Sequence, residues 1–310
     1  MIRILGTIFA GLLGLCFGSF LNVCLSRWPV GESVVQPRSH CRQCGRPLAW
    51  WENIPLISWL ALRGRCRSCK CWFGWRYPLV ELAVGALWAL QVAHGLNDFN
   101  AALFFDGLPI SINVPPAVLA TLALMLFSHL LLLWLMVALT CTDTEHLWLP
   151  DFLTLGGAGA GLLLNTSIFA LQDLFGMEDF STYHFFDRQL LIFIGERLIA
   201  VVAAFALILL IRWLYWLVRR REGIGLGDAK LMAMLAAWLG LPGALLACGL
   251  GVVLGALVAV VLLLIPAARS KSQTIALTKM PLGTFLCIGG IVSSLWGERL
   301  IALYLRCAGL

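Results

Sequence analysis

Asp228 closes the tetrapeptide Gly225-Leu226-Gly227-Asp228 at the mouth of a long apolar segment. Asp143, in Thr140-Cys141-Thr142-Asp143, ends another. A carboxylate is costly to keep beside hydrocarbon, so acids in such places are functional candidates by default. When two carboxylates share a proton, the ionised one takes a proton from water and the protonated one polarises a scissile carbonyl. The glycines before Asp228 let backbone approach a substrate strand closely. Each acid also has a plain structural role open to it. Asp is a favoured helix cap, which suits Asp228 and also Asp151, the residue after Pro150 that opens a further apolar segment. Asp143 suits that role poorly, because the C-terminal end of a helix disfavours an anion. Its plain reading is a solvated turn shared with Glu145 and His146.

Five of the eleven cysteines crowd one polar stretch: Cys41, Cys44, Cys66, Cys69 and Cys71. Cys41-x-x-Cys44 and Cys66-x-x-Cys69, twenty-one residues apart, have the spacing of a zinc ribbon, in which each pair aims two thiolates at one point. The expected ligands are Cys41, Cys44, Cys66 and Cys69, in a closed structural site. Cys71 is a spare that can stand in for Cys69. Flanking Lys and Arg favour thiolates. A redox CxxC pair and structural disulfides are the competing readings, and a reducing compartment disfavours stable disulfides. A unit this small buries little core, so metal binding would supply much of its folding energy. The scattered cysteines read as small packing residues.

The elements that must position these groups are membrane spans. Of the 310 residues, 61% are hydrophobic and 12% charged, far from the balance of a soluble domain. Crossing a bilayer takes about 17–25 apolar residues in a helix. Spans are expected near 3–25, 77–95, 115–140, 152–171, 190–217, 230–249, 250–266 and 282–305. Gly240, Pro242 and Gly243 offer a second place for the turn between the sixth and seventh. The first reads as a retained span, since no clear small-residue cleavage site follows it. The expected fold is thus an all-α polytopic membrane protein of about eight transmembrane helices with a small zinc-ribbon-like loop domain. Residues 1–25 form the first helix, 26–76 the loop domain, and 77–310 the remaining membrane domain.

Charge sets the orientation. Residues 26–76 carry nine Lys or Arg, 218–230 four, and 267–280 three, whereas 96–114 and 172–187 carry none. With eight spans, the basic loops, the cysteine loop and both acids fall on the cytoplasmic side. Residues 172–189, rich in aromatic rings, are expected at the outer interface. Asn22 and Glu81, in or beside spans, read as interhelical hydrogen-bonding groups. The lipid bilayer is an expected partner and nucleic acid is not. A proton-coupled membrane transporter is the alternative function, and its acids would sit near the bilayer centre.

In Gly18-Ser19-Phe20-Leu21-Asn22-Val23, the paired CxxC loop, Arg76-Tyr77-Pro78-Leu79-Val80-Glu81, Asp143 through Leu149-Pro150-Asp151, Gly225-Leu226-Gly227-Asp228-Ala229-Lys230 and Pro281-Leu282-Gly283, the chain resembles the type IV prepilin leader peptidases. These are intramembrane aspartic proteases that often also act as N-methyltransferases. The six motifs occur in order over nearly the whole length. The resemblance implies a bacterial inner-membrane enzyme of type IV pilus or type II secretion systems. It implies removal of the basic leader from prepilins or pseudopilins by an Asp143/Asp228 dyad, with Gly225, Gly227, Lys230 and Asp151 in support. It further implies methylation of the new N-terminus with S-adenosylmethionine, although no glycine-rich nucleotide fingerprint marks a cofactor site. Thr142 stands where the family usually has an apolar residue, and 172–189 is longer than usual. Glu32, Glu52, Glu145 and Glu222 are the acids available to meet a basic leader.

Overall fold

The structure is a computed structural model describing residues 2–105, 116–174, 186–221, 223, 225–264 and 281–309. The chain divides into two compact units, Met1–Ile112 and Asn113–Leu310. Seven helices are long and apolar enough to cross a membrane, and no strand occurs among the described residues beyond two isolated bridges. Residues 106–115, 175–185 and 265–280, with Met1, Glu222, Ile224 and Leu310, lie outside the described set. The expectations placed on those loops, including most of the outer aromatic segment, lie there with them.

In the first unit, α1 (Ile2–Arg27) and α3 (Arg76–Phe105) pack against each other. Gly14 faces Gly85 and Gly18 faces Glu81, so the helices run antiparallel. A Cβ on Gly14 would fall 2.9 Å from the Gly85 Cα, and one on Gly18 2.7 Å from the Glu81 Cα. Small residues four apart let membrane helices approach this closely. Deeper along the pair, Asn22 donates from Nδ2 to the Tyr77 carbonyl at 2.9 Å, the interhelical role expected of it. Between the helices lies the cysteine loop, which includes α2 (Ile57–Ala61). It carries a partly exposed aromatic cluster: the rings of Trp59, Trp72 and Trp75 stand 4.7–5.9 Å apart, and the Trp59 Nε1 donates to the Gly74 carbonyl at 3.1 Å.

The second unit holds α4 (Pro116–His146), α5 (Asp151–Leu174), α6 (Phe186–Arg219), α7 (Leu226–Leu264) and α8 (Leu282–Ala308). α7 is not one rod. Gly240 breaks it with φ 70° and ψ 178°, a conformation open only to glycine. The contacts on either side give the two arms opposite directions. Before the break, Lys230, Met234 and Trp238 meet Asp151, Gly157 and Gly161 in turn, so this arm runs parallel to α5. After it, Gly243, Ala247 and Gly251 meet Ser293, Gly289 and Phe285, so the return arm runs antiparallel to α8. α8 starts at the same end as α5 and the first arm, since Thr284 bonds Asp143 and Gly290 abuts Met136 and Leu235. α7 is therefore a hairpin, and the seven long helices make eight passes. The expected boundary near Gly249 moves to Gly240: the arms are 226–239 and 241–264. Leu231, Met232, Leu235, Ala236 and Ala237 are fully buried, which puts the first arm at the centre of this unit.

Candidate active site and metal centre

The C-terminal turn of α4 carries Asp143 and the N-terminal turn of α7 carries Asp228. Both are buried, 6% and 8% exposed. Leu149, in the turn after α4, lies against Gly227 and Gly283 and so brings the three helix ends together. Asp143 is close enough for its charge to act on Asp228.

The dipole of α4 disfavours an anion at Asp143, and a second helix offsets this. Asp143 Oδ2 accepts the Thr284 backbone N–H at 2.6 Å and the Thr284 hydroxyl at 3.0 Å. Thr284 lies in the first turn of α8, where N–H groups lack intrahelical partners and the dipole favours negative charge. The approach needs Gly283, whose Cβ would fall 2.9 Å from Asp143 Oδ2 and 3.0 Å from Leu149 Cδ1. Gly283 stood in the sequence only as part of the Pro281-Leu282-Gly283 motif, with no role attached, and nothing there pointed to Thr284.

Asp228 is not the cap of its helix. α7 starts at Leu226, which makes Asp228 the third helical residue. Its Oδ2 reaches back to accept the Gly225 N–H at 3.1 Å, the returning half of a capping box. A helix N-terminus thus supports this acid too. Asp151 opens α5 as expected, but its carboxylate goes elsewhere: Lys230 Nζ donates to Oδ1 at 2.6 Å, tying the start of α5 to the first turn of α7. Asp151 is exposed, so this pair is worth little in stability.

Thr284→Val keeps the backbone donor and removes the hydroxyl bond to Asp143. A hydrogen bond to a charged group is worth about 1.5–3 kcal/mol, so turnover of a leader-bearing substrate should fall roughly tenfold to a hundredfold. The melting temperature should change little. Steady-state kinetics on detergent-solubilised protein check this, and a variant with parental turnover would show that the hydroxyl does not tune the acid.

In the cysteine loop, two turns share one hydrogen-bond pattern. Cys41 N–H donates to the Arg46 carbonyl and Gly45 N–H to the Cys41 carbonyl; likewise Cys66 N–H donates to Cys71 and Lys70 N–H to Cys66. Bridges His40–Pro47 and Arg65–Trp72 close them. Gly45 at φ 70° and Lys70 at φ 59° take the left-handed conformation each turn requires. By this symmetry Cys41 matches Cys66, Cys44 matches Cys69, and Cys71 matches Arg46. The thiols tell a second story: the Sγ atoms of Cys41, Cys66, Cys69 and Cys71 all lie within 4.8 Å of one another. Cys44 lies outside that cluster, although Cys41, Cys66 and Cys69 are near enough to perturb its thiol. Five thiols thus surround a four-ligand site. Thiol rotamers can adjust when a metal binds, whereas the backbone turns are fixed by their hydrogen bonds.

The donor set fits zinc. Tetrahedral coordination at about 2.3 Å per Zn–S bond places sulfurs about 3.8 Å apart, and Cys41 Sγ lies 3.7 Å from Cys69 Sγ and 3.5 Å from Cys71 Sγ. Burial raises the Cys41 thiol, but the Cys44 and Gln43 amides and the adjacent thiols outweigh it and bring it down to about 6. The Cys69 and Ser68 amides lower Cys66 in the same way. Cys44, despite the Arg46 amide, is pushed up to about 11 by burial and its thiol neighbours.

Two acids that could meet a basic leader are already engaged. Glu52 is buried and accepts from Arg46 Nη2 at 2.9 Å and from the Ala49 N–H at 2.8 Å. Glu32 pairs with Arg42 at 3.6 Å.

Comparison with known proteins matches residues 12–94 to the bacterial peptidase A24 N-terminal domain and residues 130–260 to the type IV leader peptidase family. A protein of Stutzerimonas stutzeri named prepilin leader peptidase/N-methyltransferase is 33% identical over 321 residues, covering 96% of this chain and 93% of the relative. One of the same name from Pseudomonas aeruginosa is 32% identical over 322 residues, covering 96% and 93%. A third, from Myxococcus xanthus, is 36% identical over 271 residues, covering 86% of this chain and 66% of the relative. No solved structure matches the chain.

Proposed function

The chain belongs to the type IV leader peptidase family, and from that premise we propose that it removes the basic leader of prepilins or pseudopilins with an Asp143/Asp228 dyad and then methylates the new N-terminus. One observation carries the dyad: two buried carboxylates at the ends of α4 and α7, each bonded to a backbone amide at the start of a helix. With two donors on Oδ2, Asp143 is the better seat for the negative charge, and Asp228 then holds the shared proton. Asp143 takes a proton from a water molecule, whose oxygen attacks the scissile carbonyl while Asp228 donates to that carbonyl's oxygen. Collapse breaks the C–N bond as the proton held by Asp143 passes to the leaving amine and one hydroxyl of the diol returns its proton to Asp228, which leaves a carboxylic acid and restores the dyad. No acyl-enzyme forms.

The cysteine loop is read as a structural zinc module, with Cys41, Cys44, Cys66 and Cys69 as ligands. Four thiolates leave no position for a catalytic water. S-adenosylmethionine would supply an electrophilic methyl group to the amine freed by cleavage. A transporter would carry its acids near mid-span, whereas both acids here lie within one turn of a helix end.

Sixteen basic residues in three loops against none in 96–114 and 172–187 support the reading that the dyad and the cysteine loop face the cytoplasmic side of the bacterial inner membrane. Single cysteines introduced near Gly227 into a chain lacking other accessible thiols should resist an impermeant reagent in intact cells and react after permeabilisation. Ready labelling in intact cells would reverse the orientation. A cleavage assay on a membrane-embedded, leader-bearing peptide tests the activity itself; a chain that leaves the peptide intact under all conditions is not this enzyme.

A further inference from the structure

A cavity of about 330 Å³ lies within the first unit, between the cysteine loop and the inner ends of α1 and α3. That is in the size range of sites that enclose a small organic molecule. Arg27, Arg42, Arg65, Arg67, Glu32 and Glu52 line parts of its walls, and three further kinds of group bear on a ligand. Trp59, Trp72 and Tyr77 give aromatic surface. Glu81 gives a carboxylate that is 7% exposed. Asn22 gives an amide that is 2% exposed.

Glu81 is a buried carboxyl group whose hydrogen-bond partners are neutral. Its Oε2 accepts the Leu56 N–H at 2.8 Å, the Ser19 hydroxyl also bonds it, and among the described residues no lysine or arginine pairs with it. A buried charge normally has a partner of opposite sign. Asn22 poses a matching question. Its Nδ2 is committed to the Tyr77 carbonyl, which fixes the orientation of the amide, and its Oδ1 is a buried acceptor with no partner. Few such atoms stand in a native interior without a reason. The crossing at Gly14 and Gly18 holds both groups in place, because the Glu81 backbone can lie this close to α1 only where α1 has no Cβ. A ligand that satisfies the Glu81 and Asn22 end of this cavity brings a positive charge, a hydrogen-bond donor and an aromatic plane, and the arginines of the lining can meet an anionic group on the same ligand. The zinc thiols Cys41 and Cys66 also border it, so the metal would fix the wall opposite the helices.

We propose that this cavity, with Glu81 facing the cation, Asn22 Oδ1 accepting from an N–H or O–H, and the tryptophans against the adenine, is the S-adenosylmethionine site of the protein. S-adenosylmethionine carries a sulfonium and an ammonium, several donors and one flat heterocycle. Aromatic faces attract cations and stack on bases. The inference rests on the methyl-transfer reading above and gives that reading a location. In the transfer, the S–CH₃ bond breaks and an N–CH₃ bond forms with the free amine. The sulfonium becomes a neutral thioether, and the amine gives up a proton to solvent.

The test is equilibrium binding to the zinc-loaded full chain in detergent micelles, without peptide. The probes are S-adenosylmethionine, its neutral product S-adenosylhomocysteine, and a non-reactive analogue bearing an amine in place of the sulfonium. If Glu81 faces the cation, the parent protein should bind the two cationic ligands at least about tenfold more tightly than the thioether. Glu81→Gln keeps an acceptor for Leu56 and should collapse that preference to near unity, leaving thioether affinity within about threefold by the same reasoning. Zinc content and melting behaviour report the fold of the variant. The ratio separates charge recognition from general damage, which would weaken all three ligands together. A parent with no preference for cationic ligands overturns the proposal, as does a Glu81→Gln variant that keeps the preference. So does a variant with parental S-adenosylmethionine binding but weakened affinity for a cleaved peptide, since Glu81 would then serve the substrate amine. Cleavage and methylation by the parent are measured separately, so a chain that methylates but fails these binding tests loses the pocket and keeps the function.

Discussion

Replacing Asp143 by Asn, or Asp228 by Asn, is expected to abolish leader cleavage, by on the order of 10⁴-fold or more in turnover, as when one member of a catalytic unit is removed. The argument is local. Asn matches Asp in shape and still offers an oxygen to Thr284 or Gly225, so the helix ends keep their contacts. What is lost is the carboxylate's ability to hold or take a proton. Because the two acids act together, the double variant should be hardly slower than either single one. Asp151→Asn is the informative control. It weakens the ion pair with Lys230, but that pair is exposed on the Asp151 side, so the variant should fold and keep measurable activity. Single-turnover cleavage of a leader-bearing peptide reads all four proteins. A parental rate in Asp143→Asn with none in Asp151→Asn would make Asp151 the partner of Asp228.

The second large effect concerns the cysteine loop. Stripping the metal with a strong chelator should unfold residues 28–75, because the loop has one small tryptophan cluster and two turns to hold it. Structural zinc in small modules contributes on the order of 10 kcal/mol or more to folding. Metal analysis should find about one zinc per chain. Tryptophan fluorescence should report the loss directly, since Trp59, Trp72 and Trp75 form that cluster. Cys41→Ser and Cys66→Ser should lose the metal whichever four thiols coordinate. Cys44→Ser and Cys71→Ser separate the two ligand sets: the repeated turn geometry predicts that Cys71→Ser keeps its zinc and Cys44→Ser does not. The reverse result would assign the fourth ligand to Cys71. A metal-free protein with an unchanged melting curve would remove zinc from the account altogether.

Much of this was legible in the sequence because its signals are local. Apolar length marks a span, CxxC spacing marks a turn that converges two thiols, and an acid at a span end stands out by its cost. What could not be read are relationships across helices. Thr284 looks like any threonine near a helix start until α8 is set against α4 and its amide meets Asp143. Glu52 looked free to meet a basic leader until Arg46 was found on it. Asp151 looked like a cap, and its partner Lys230 is seventy-nine residues away. The turn within 226–264 was ambiguous for a related reason. Gly240 and Gly249 are both permissive, and only packing against α5 and α8 decides which one bends.

The hairpin at Gly240 bears on how the chain enters the membrane. Its first arm, residues 226–239, is about 21 Å long at 1.5 Å per residue, short of the hydrocarbon thickness of about 30 Å. It also begins with a buried carboxylate. During synthesis such a segment has little tendency to leave the insertion channel alone. The return arm, about 36 Å by the same rise, has the apolar length that the first lacks. The two are therefore expected to partition into lipid as one cooperative unit, only after the return arm has been made. A nascent chain truncated soon after Gly240 would leave the first arm, and Asp228 with it, outside the bilayer, so this acid reaches its working depth late in assembly.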